Sequence, residues 1–461
     1  MVYVTVQHPV ITFRFMRGER NAVHENLCHP GFRDPYGDVS VKLKSHRLEN
    51  EMRIYFCEFV RAFSDAMNLI SPEVKNHHEK VGYIACELAK ELKMSRQDLK
   101  ITFFGAMLHD IGSLMMEGDI SLLDLEVHPL RLARMGSQLL RESPVTNALA
   151  DVVGNCQTPW QKLKASVEKK PLIPQVIHLA DVVSLLLTEE KPVLNQIADM
   201  KECIHQVREG EFHPDVLRAF DSLCTKEYIW MNVMYHSDVI MDHIPDDHEM
   251  SLDEILATTE FMSHIIDFRS PFTAMHSAGV AASAEELAGL SGMSEQECKY
   301  MRIAGLLHDI GKMKVPKEIL EKPGKLTDEE FNIIKEHAYY THLILSDISG
   351  FEQVTQWAAY HHEKLAGNGY PFHLAEDEIP FGSRIMSVAD VFSAITEERP
   401  YRKGMDREKV IEVLRGDAAR GALSGKIVEL LVDNFDMINE KRDAASRKAS
   451  RRYQIILKNA E

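Results

Sequence analysis

Polar and apolar positions along the chain follow the spacing of helices. Residues 280–290 are the clearest example, with apolar side chains at helical spacing and a composition rich in Ala, Glu and Leu. Alternating positions typical of strands occur only in residues 2–15. Helix-capping pairs, in which Ser or Thr precedes Glu by three residues, are Ser251 with Glu254, Ser294 with Glu297, and Thr327 with Glu330. The pattern predicts an all-α chain with a short N-terminal segment in which strands can occur.

A long internal repeat divides the chain into two copies. An offset of 199 residues (276 − 77) matches many positions without a gap, and further along it becomes 209 (337 − 128). The matched positions include His77 and His276, the Leu-His-Asp-Ile-Gly runs at 108–112 and 307–311, His128 and His337, and Asp181 and Asp390. We expect a segment at 1–50, a first copy at 51–245 and a second copy at 250–461. The acidic stretch at 244–249 is the expected boundary between the copies.

Histidine and carboxylate residues concentrate at a few positions of the second copy. They are His276, His308, Asp309, His337, His361, His362 and Asp390. A lone histidine on a helix usually has a structural role. Neighbouring residues on a helix point about 100° apart, so the two members of the pair His308-Asp309, or of the pair His361-His362, do not both lie on one apolar stripe. Such polar residues inside a helical core need a partner. A metal cluster supplies one, and nitrogen and carboxylate donors without thiolate suit Fe, Mn, Ni, Co or Zn.

Composition narrows the classes of function. The chain has 461 residues, 22 of them His, and a net charge of −17, which disfavours binding to a DNA or RNA polymer but allows a small anion to bind locally. The seven Cys are scattered without a Cys-x-x-Cys pair, which indicates a reducing, cytoplasmic compartment and no disulfide framework. No apolar run reaches the roughly 18 residues of a membrane span, and the first residues lack a signal-peptide pattern.

A longer set of motifs in the second copy resembles a known family. The motifs are His308-Asp309-Ile310-Gly311-Lys312, His361-His362-Glu363, Gly367-Asn368-Gly369-Tyr370-Pro371, Ala389-Asp390-Val391-Phe392 and Arg399-Pro400-Tyr401-Arg402. Over about residues 255–430 this set resembles the HD-GYP branch of the HD phosphohydrolases. The resemblance implies tandem HD-type helical domains and hydrolysis of a cyclic dinucleotide, cyclic di-GMP or 3′,3′-cyclic GMP-AMP, to a linear dinucleotide or to mononucleotides.

The resemblance also implies two divalent transition-metal ions. One would be held by His276, His308, Asp309 and Asp390, and the other by Asp309, His337, His361 and His362. Some relatives hold a third metal through a Glu at the position of Phe272, so the sequence favours two. Ala366 replaces an Asp that is frequent in the family before the Gly of the Gly-Tyr-Pro loop.

The implied mechanism is attack on phosphorus by a hydroxide that bridges the metals, in line with the leaving 3′-oxygen. Lys312 is expected to offset phosphoryl charge, and the alternative is a solvated lysine at a helix end. Arg399 and Arg402 are expected to reach the second phosphate or the guanine edge, and the alternative is a surface ion pair. Tyr370 either stacks on a base or shapes its loop. The resemblance thus implies catalytic roles for Asp309 and Lys312.

The first copy has lost part of this set. It keeps His77, His109, Asp110, His128 and Asp181, so the donors for one metal are formally present. The positions opposite His361-His362 are Val152-Val153 or, with a loop slip of three residues, Asn155-Cys156. Ser113 replaces Lys312, and no Gly-Tyr-Pro follows. We interpret this copy as a degenerate unit kept for packing, dimerisation or regulation, with His78 exposed beside His77.

Two classes of function remain open at this point. The first is a cyclic-dinucleotide phosphodiesterase in the second copy, or the same chemistry on another phosphoester. The second is a signalling adaptor that binds the dinucleotide or a partner without turnover. The complete donor set and Lys312 favour the enzyme, because loss of such residues is what the first copy displays.

Overall fold

Helices make up the secondary structure of the part of this chain that the structure describes, apart from isolated bridges. The structure, a computed structural model, describes residues 53–70, 76–115, 129–163, 172–207, 210–235, 248–269, 273–322, 324–397 and 403–460. No sheet occurs within these ranges, which confirms the all-α prediction. The predicted strands at residues 2–15 lie outside them.

The helices of the first copy come first in chain order. They are α1 (Phe56–Ile70), α2 (His77–Glu91), α3 (Arg96–Met107), α4 (Pro129–Arg141), α5 (Ala150–Asn155), α6 (Trp160–Leu163), α7 (Ile173–Leu186), α8 (Ile197–Glu202), α9 (Pro214–Leu223) and α10 (Glu227–Tyr235).

The second copy contributes the remaining helices. They are α11 (Leu252–Arg269), α12 (Thr273–Leu290), α13 (Glu295–Leu307), α14 (Lys317–Leu320), α15 (Asp328–Ser346), α16 (Glu352–Ala359), α17 (Phe381–Thr396), α18 (Arg407–Ala419), α19 (Gly425–Asp433) and α20 (Phe435–Ala460).

The predicted caps form at the starts of three of these helices. Ser294 accepts a hydrogen bond from the backbone N–H of Glu297, whose carboxylate accepts the backbone N–H of Ser294 in return. Thr327 and Glu330 repeat this reciprocal pair at the start of α15, and Ser251 and Glu254 do so at the start of α11. Each pair satisfies backbone donors that a helix start leaves without partners, which fixes where the helix begins.

A short 3₁₀ turn follows the third helix of each unit, at Ile111–Met115 and at Ile310–Lys314. Each turn lies against the next long helix at a glycine. A Cβ atom on Gly311 would lie 2.0 Å from the carbonyl oxygen of His337, and one on Gly112 would lie 2.1 Å from that of Leu132. Only glycine allows this approach, so the same close contact positions the His-Asp pair of both copies.

The two copies share one hydrophobic core, and the first helix of each copy also packs against the other copy. Helix α1 packs against the turn Ile310–Lys314 and against α15 of the second copy. Phe59 of α1 meets Phe351 edge to face at a centroid distance of 5.5 Å. Helix α11 contacts the turns of both copies. The first copy therefore covers the segment that carries Lys312.

Two further connections join the copies within the described ranges. Near the start of the first copy, the backbone N–H of Phe56 donates to His248 O at 3.1 Å, and the N–H of Met250 donates to Ile54 O at 2.8 Å. At the far end, the Arg452 guanidinium of α20 donates to the side chain and the backbone carbonyl of Glu142 at 2.8 and 2.6 Å. Among the described helices, none combines the length and apolar character needed to cross a membrane.

Candidate metal centre

Five helices or helix ends of the second copy direct donor side chains to one place. His276 lies in α12, His308 and Asp309 follow the end of α13, and His337 lies in α15. The remaining donors are His361 and His362, just after α16, and Asp390 in α17. The seven side chains predicted as ligands are therefore brought together, and their binding of metal stays a proposal.

Three of the histidines are oriented by their own backbone. The Nδ1 atom of His308 lies 2.7 Å from Gly305 O, and the Nδ1 atoms of His337 and His361 lie 2.6 Å from the carbonyls three residues earlier. A carbonyl can only accept, so each Nδ1 carries the proton and each Nε2 is left as a lone-pair donor. These rings are therefore preset in the tautomer that binds a metal.

The first group of donors surrounds Asp390. His276 Nε2 lies 3.0 Å from Asp390 Oδ1, and His308 Nε2 lies 4.0 Å from the same oxygen. His308 Nε2 is also 3.2 Å from Asp309 Oδ2. One ligand atom each from His276, His308 and Asp390 lies within 4.8 Å of the others.

The second group surrounds His337. Its Nε2 lies 3.5 Å from Asp309 Oδ1 and 3.4 Å from His361 Nε2. Ligand atoms within 4.8 Å of one another also come from His337, His361 and His362, and a further cluster of this kind joins His308, Asp309 and His361. Asp309 therefore directs one oxygen toward each group, as a carboxylate shared by two cations would.

The donor atoms fit divalent cations. His308, Asp309 and His337 are at most 1% exposed. His308 Nε2 and Asp309 Oδ1 have no hydrogen-bond partner among the described residues, although buried polar atoms normally have one. Imidazole nitrogen and carboxylate oxygen without thiolate are typical of Fe, Mn, Co, Ni or Zn sites. The residues present thus match the metals that the sequence motifs imply.

The charge states of His337, His361 and Asp309 also suit cations. Burial lowers the pKa of His337 to about 4 and that of His361 to about 3, so both rings are neutral near pH 7. Burial alone would raise the pKa of Asp309, but the interactions with His308 and with the Lys312 ammonium outweigh it and hold that pKa well below its usual value. Neutral imidazoles beside an ionised carboxylate are the forms that coordinate metal.

Lys312 lies beside this carboxylate. Its ammonium Nζ donates to Asp309 Oδ2 at 2.5 Å, and its side chain is 22% exposed. Lys312 is therefore placed at the edge of the donor cluster, paired with a proposed ligand, and its role stays a prediction.

The Gly-Tyr-Pro loop is anchored by a residue that sequence reasoning did not single out. The buried carboxylate of Glu363 accepts the backbone N–H groups of Phe372 and Leu374 at 2.7 and 3.0 Å. The Tyr370 ring lies against His362 at a centroid distance of 4.7 Å and an angle of 33°. This packing favours loop shaping for Tyr370. An acidic residue directly after two buried histidines was the available signal for Glu363.

Some predicted residues lie outside the described ranges. They are Arg399, Arg402, Phe272 and His128. The substrate contacts expected of the two arginines therefore stay predictions.

The first copy retains the geometry of one donor group. His77 Nε2 lies 3.2 Å from Asp181 Oδ1, and His109 Nε2 lies 3.1 Å from Asp110 Oδ2. Ligand atoms of His77, His109 and Asp181 lie within 4.8 Å of one another. As in the second copy, His109 Nδ1 meets the carbonyl three residues earlier, here Ala106 O at 2.7 Å. These side chains offer the donors for one cation.

Gln157 lies beside the retained donors of the first copy, one residue beyond the later of the two positions predicted opposite His361-His362. Its amide Nε2 donates to Asp181 Oδ2 at 2.6 Å. The two alignments predicted from sequence, at Val152-Val153 or Asn155-Cys156, end before this residue, and both stay predictions. Helix α5 ends at Asn155, and Gln157 lies in the turn that follows. A cavity of about 320 Å³ opens beside Asp110, Gln157 and Asp181.

The expected exposure of His78 is wrong. The residue is 2% exposed, and its ring packs against His77 and His109 at centroid distances of 5.6 and 5.7 Å. Burial lowers the pKa of His78 to about 3, so it is neutral. Helix α2 is covered on both faces, since α3 and α7 both pack on it, and adjacent residues are therefore buried together.

Comparisons with known proteins agree with this arrangement. Residues 74–186 and 260–423 match family profiles that are both described as the HD domain. The 3′3′-cGAMP-specific phosphodiesterase 1 of Vibrio cholerae is 30% identical over 421 residues, which cover 87% of this chain and 96% of that protein. A cyclic di-GMP phosphodiesterase of Pseudomonas aeruginosa is 42% identical over 141 residues, covering 30% of this chain and 34% of that protein.

A solved structure supports the fold. A crystal structure described as a cyclic GMP-AMP specific phosphodiesterase of V. cholerae superimposes with a TM-score of 0.59, at 22% identity, over 83% of this chain and 98% of that chain. Two HD-domain matches, a relative that is similar over nearly its whole length and the His-Asp and Gly-Tyr-Pro motifs agree with one another. The chain therefore belongs to the HD-GYP family of the HD phosphohydrolases.

Proposed function

We propose that this chain is a metal-dependent phosphodiesterase that hydrolyses a cyclic dinucleotide in its second copy. The observation that carries the proposal is the convergence of seven buried or half-buried donors on one place, with Asp309 directed toward both groups. A protein that only bound its ligand would have no need of two adjacent cation sites.

The proposed substrate of first choice is 3′,3′-cyclic GMP-AMP. The V. cholerae relative named for that substrate aligns with 87% of this chain, so it shares both copies. The cyclic di-GMP phosphodiesterase of P. aeruginosa aligns with only 30%. Cyclic di-GMP is the second choice.

Each part of the site has a proposed role. His276, His308, Asp309 and Asp390 would hold one cation, and Asp309, His337, His361 and His362 would hold the other. When bound, the two cations would lower the pKa of a water molecule between them and offset the charge of the phosphate oxygens.

The remaining roles belong to residues around the donors. Lys312 adds a positive charge beside Asp309, where it can offset the charge that develops on the phosphoryl group. Glu363 holds the Gly-Tyr-Pro loop, and this loop places Tyr370 against His362. In the first copy Ser113 and Gln157 stand in for the lysine and the histidines, so we assign no turnover to that copy.

The test is a substrate panel on the full chain. Protein stripped of metal is reloaded with Mn²⁺ or Fe²⁺ and incubated with 3′,3′-cyclic GMP-AMP and with cyclic di-GMP, and the products are separated by chromatography. We expect cleavage that needs added metal and is faster for 3′,3′-cyclic GMP-AMP. Undiminished cleavage in excess chelator would contradict the metal mechanism, and tight binding without cleavage would favour the adaptor.

A further inference from the structure

A buried carboxylate lies behind one of the proposed ligands. Glu397 directly follows α17 and is 4% exposed. Its Oε2 atom lies 3.6 Å from Nδ1 of His276, while Nε2 of the same ring lies 3.0 Å from Asp390. The His276 ring is thus placed between one carboxylate inside the donor cluster and one outside it.

The group that faces Nδ1 of His276 differs from the groups that face Nδ1 of the other histidines. His308, His337 and His361 each direct Nδ1 to a neutral backbone carbonyl of their own helix. His276 Nδ1 instead faces the carboxylate of Glu397 at the end of α17, 121 residues further along the chain (397 − 276), at 3.6 Å, which is an ion-pair distance and longer than a hydrogen bond. A carboxylate partner makes an imidazole a stronger donor than a carbonyl does.

The first copy provides an internal reference for this position. There Nδ1 of His77 lies 3.1 Å from the hydroxyl of Ser184. The repeat offset of 209 pairs Ser184 with Ser393 and Thr188 with Glu397. The Ser393 hydroxyl is buried without a hydrogen-bond partner among the described residues. In the second copy the group that faces Nδ1 of the histidine therefore lies one helical turn further along the chain than in the first copy, and it is a carboxylate instead of a hydroxyl.

A buried cation offsets the charge of this carboxylate. Arg442 of α20 is 6% exposed, and its charge interacts with that of Asp443, which lies 3.7 Å away, and with that of Glu397. A buried carboxylate without such compensation would be costly. Arg442 therefore explains how Glu397 is tolerated, but it does not explain why the carboxylate faces His276.

We infer that Glu397 is a positioning residue for the first proposed metal, holding the His276 ring so that Nε2 faces Asp390 and strengthening that nitrogen as a donor. The inference rests on the proposed function, since it assumes that His276 is a ligand. Glu397 acts through His276 and does not itself contact metal or substrate.

The test compares metal binding by the full chain and three variants. Metal-free protein is titrated with Co²⁺, whose visible absorption reports on its ligands, and the dissociation constants are measured. Glu397→Gln is expected to weaken one cation of the second copy by about 10- to 100-fold and to shift its absorption, as loss of such outer partners does. Thr188→Ala, the matched position in the first copy, is expected to change neither quantity.

A double variant separates positioning from charge balance. Glu397→Gln with Arg442→Gln removes both buried charges, so it is expected to melt closer to wild type than Glu397→Gln alone while Co²⁺ binding stays weakened. Restored Co²⁺ affinity in the double variant, or unchanged affinity in the single variant, would mean that Glu397 only balances Arg442. If wild-type protein neither binds Co²⁺ nor cleaves substrate, the proposed function fails as well, whereas normal wild-type behaviour with an unaffected variant overturns this inference alone.

Discussion

The two copies share a scaffold and differ mainly in the segment after one helix. Both place a His-Asp pair at the end of a helix and hold the next turn close to a neighbouring helix through a glycine, Gly112 or Gly311. After α5 the first copy continues with Gln157, while after α16 the second continues with His361-His362 and the Gly-Tyr-Pro loop. The fold therefore depends on features that the copies share. The proposed chemistry depends on the shared donors together with residues that only the second copy has, namely Lys312, His361 and His362.

The largest expected effect comes from removing the same carboxylate charge in each copy. Asp309→Asn should lower turnover by about 1000-fold, because metal catalysis supplies several kcal/mol and each 1.36 kcal/mol is tenfold in rate. Asp110→Asn should leave turnover within about twofold, under about 0.5 kcal/mol in the activation barrier, because we assign no turnover to the first copy. Steady-state kinetics with added Mn²⁺ measure both. Equal losses in the two variants would mean that the first copy takes part in the reaction.

An exchange of one residue between the copies tests Lys312. Lys312→Ser introduces the residue of the first copy and should lower kcat by about 100-fold, since loss of one charge-stabilising group commonly costs about 10²–10³. Metal content, measured by elemental analysis, should stay that of the wild type. A variant with full turnover would return Lys312 to the role of a surface lysine.

The shared glycines should have comparable effects on stability. Gly311→Ala and Gly112→Ala each introduce a Cβ about 2 Å from a carbonyl oxygen, and overpacking of this kind costs about 1–3 kcal/mol. Thermal unfolding followed by circular dichroism should therefore show a lowered midpoint for both. A loss for Gly311→Ala alone would indicate that the turn of the first copy is no longer held in the same way.

The smallest expected effect is a pH-dependent one at the contact between the copies. Burial, with a further contribution from Glu79, raises the pKa of Asp65 on α1 to about 6. The protonated carboxyl of Asp65 thus makes its full contribution to the free energy of unfolding below about pH 4. This contribution is lost as the pH rises through about 6. Asp65→Asn should raise the free energy of unfolding by about 1–2 kcal/mol at about pH 8 and by less at about pH 5. Denaturant unfolding at the two pH values measures this, and equal gains at both would contradict the shift.

Local sequence features predicted the parts of the molecule that local physics determines. The capping pairs and the helices they open are of this kind. The convergence of the His-Asp and His-His pairs was implied instead by the resemblance of their motifs to the HD-GYP family. Gln157 escaped prediction because a shift of one or two residues in the turn after α5 decides which side chain points inward. The local sequence does not predict that α1 packs on the second copy, since an apolar helix face has the same sequence pattern whichever unit covers it.

That placement of α1 has a consequence for the order of events during synthesis. The helix ends at Ile70, but the turn it covers ends at Lys314, 244 residues later (314 − 70). At a translation rate of about 5–20 residues per second, this interval is roughly 10 to 50 s. During that time part of the apolar face of α1 lacks its final partner while the rest of the first copy can already fold. The first copy is thus synthesised before the second, yet it depends on the second for its final packing.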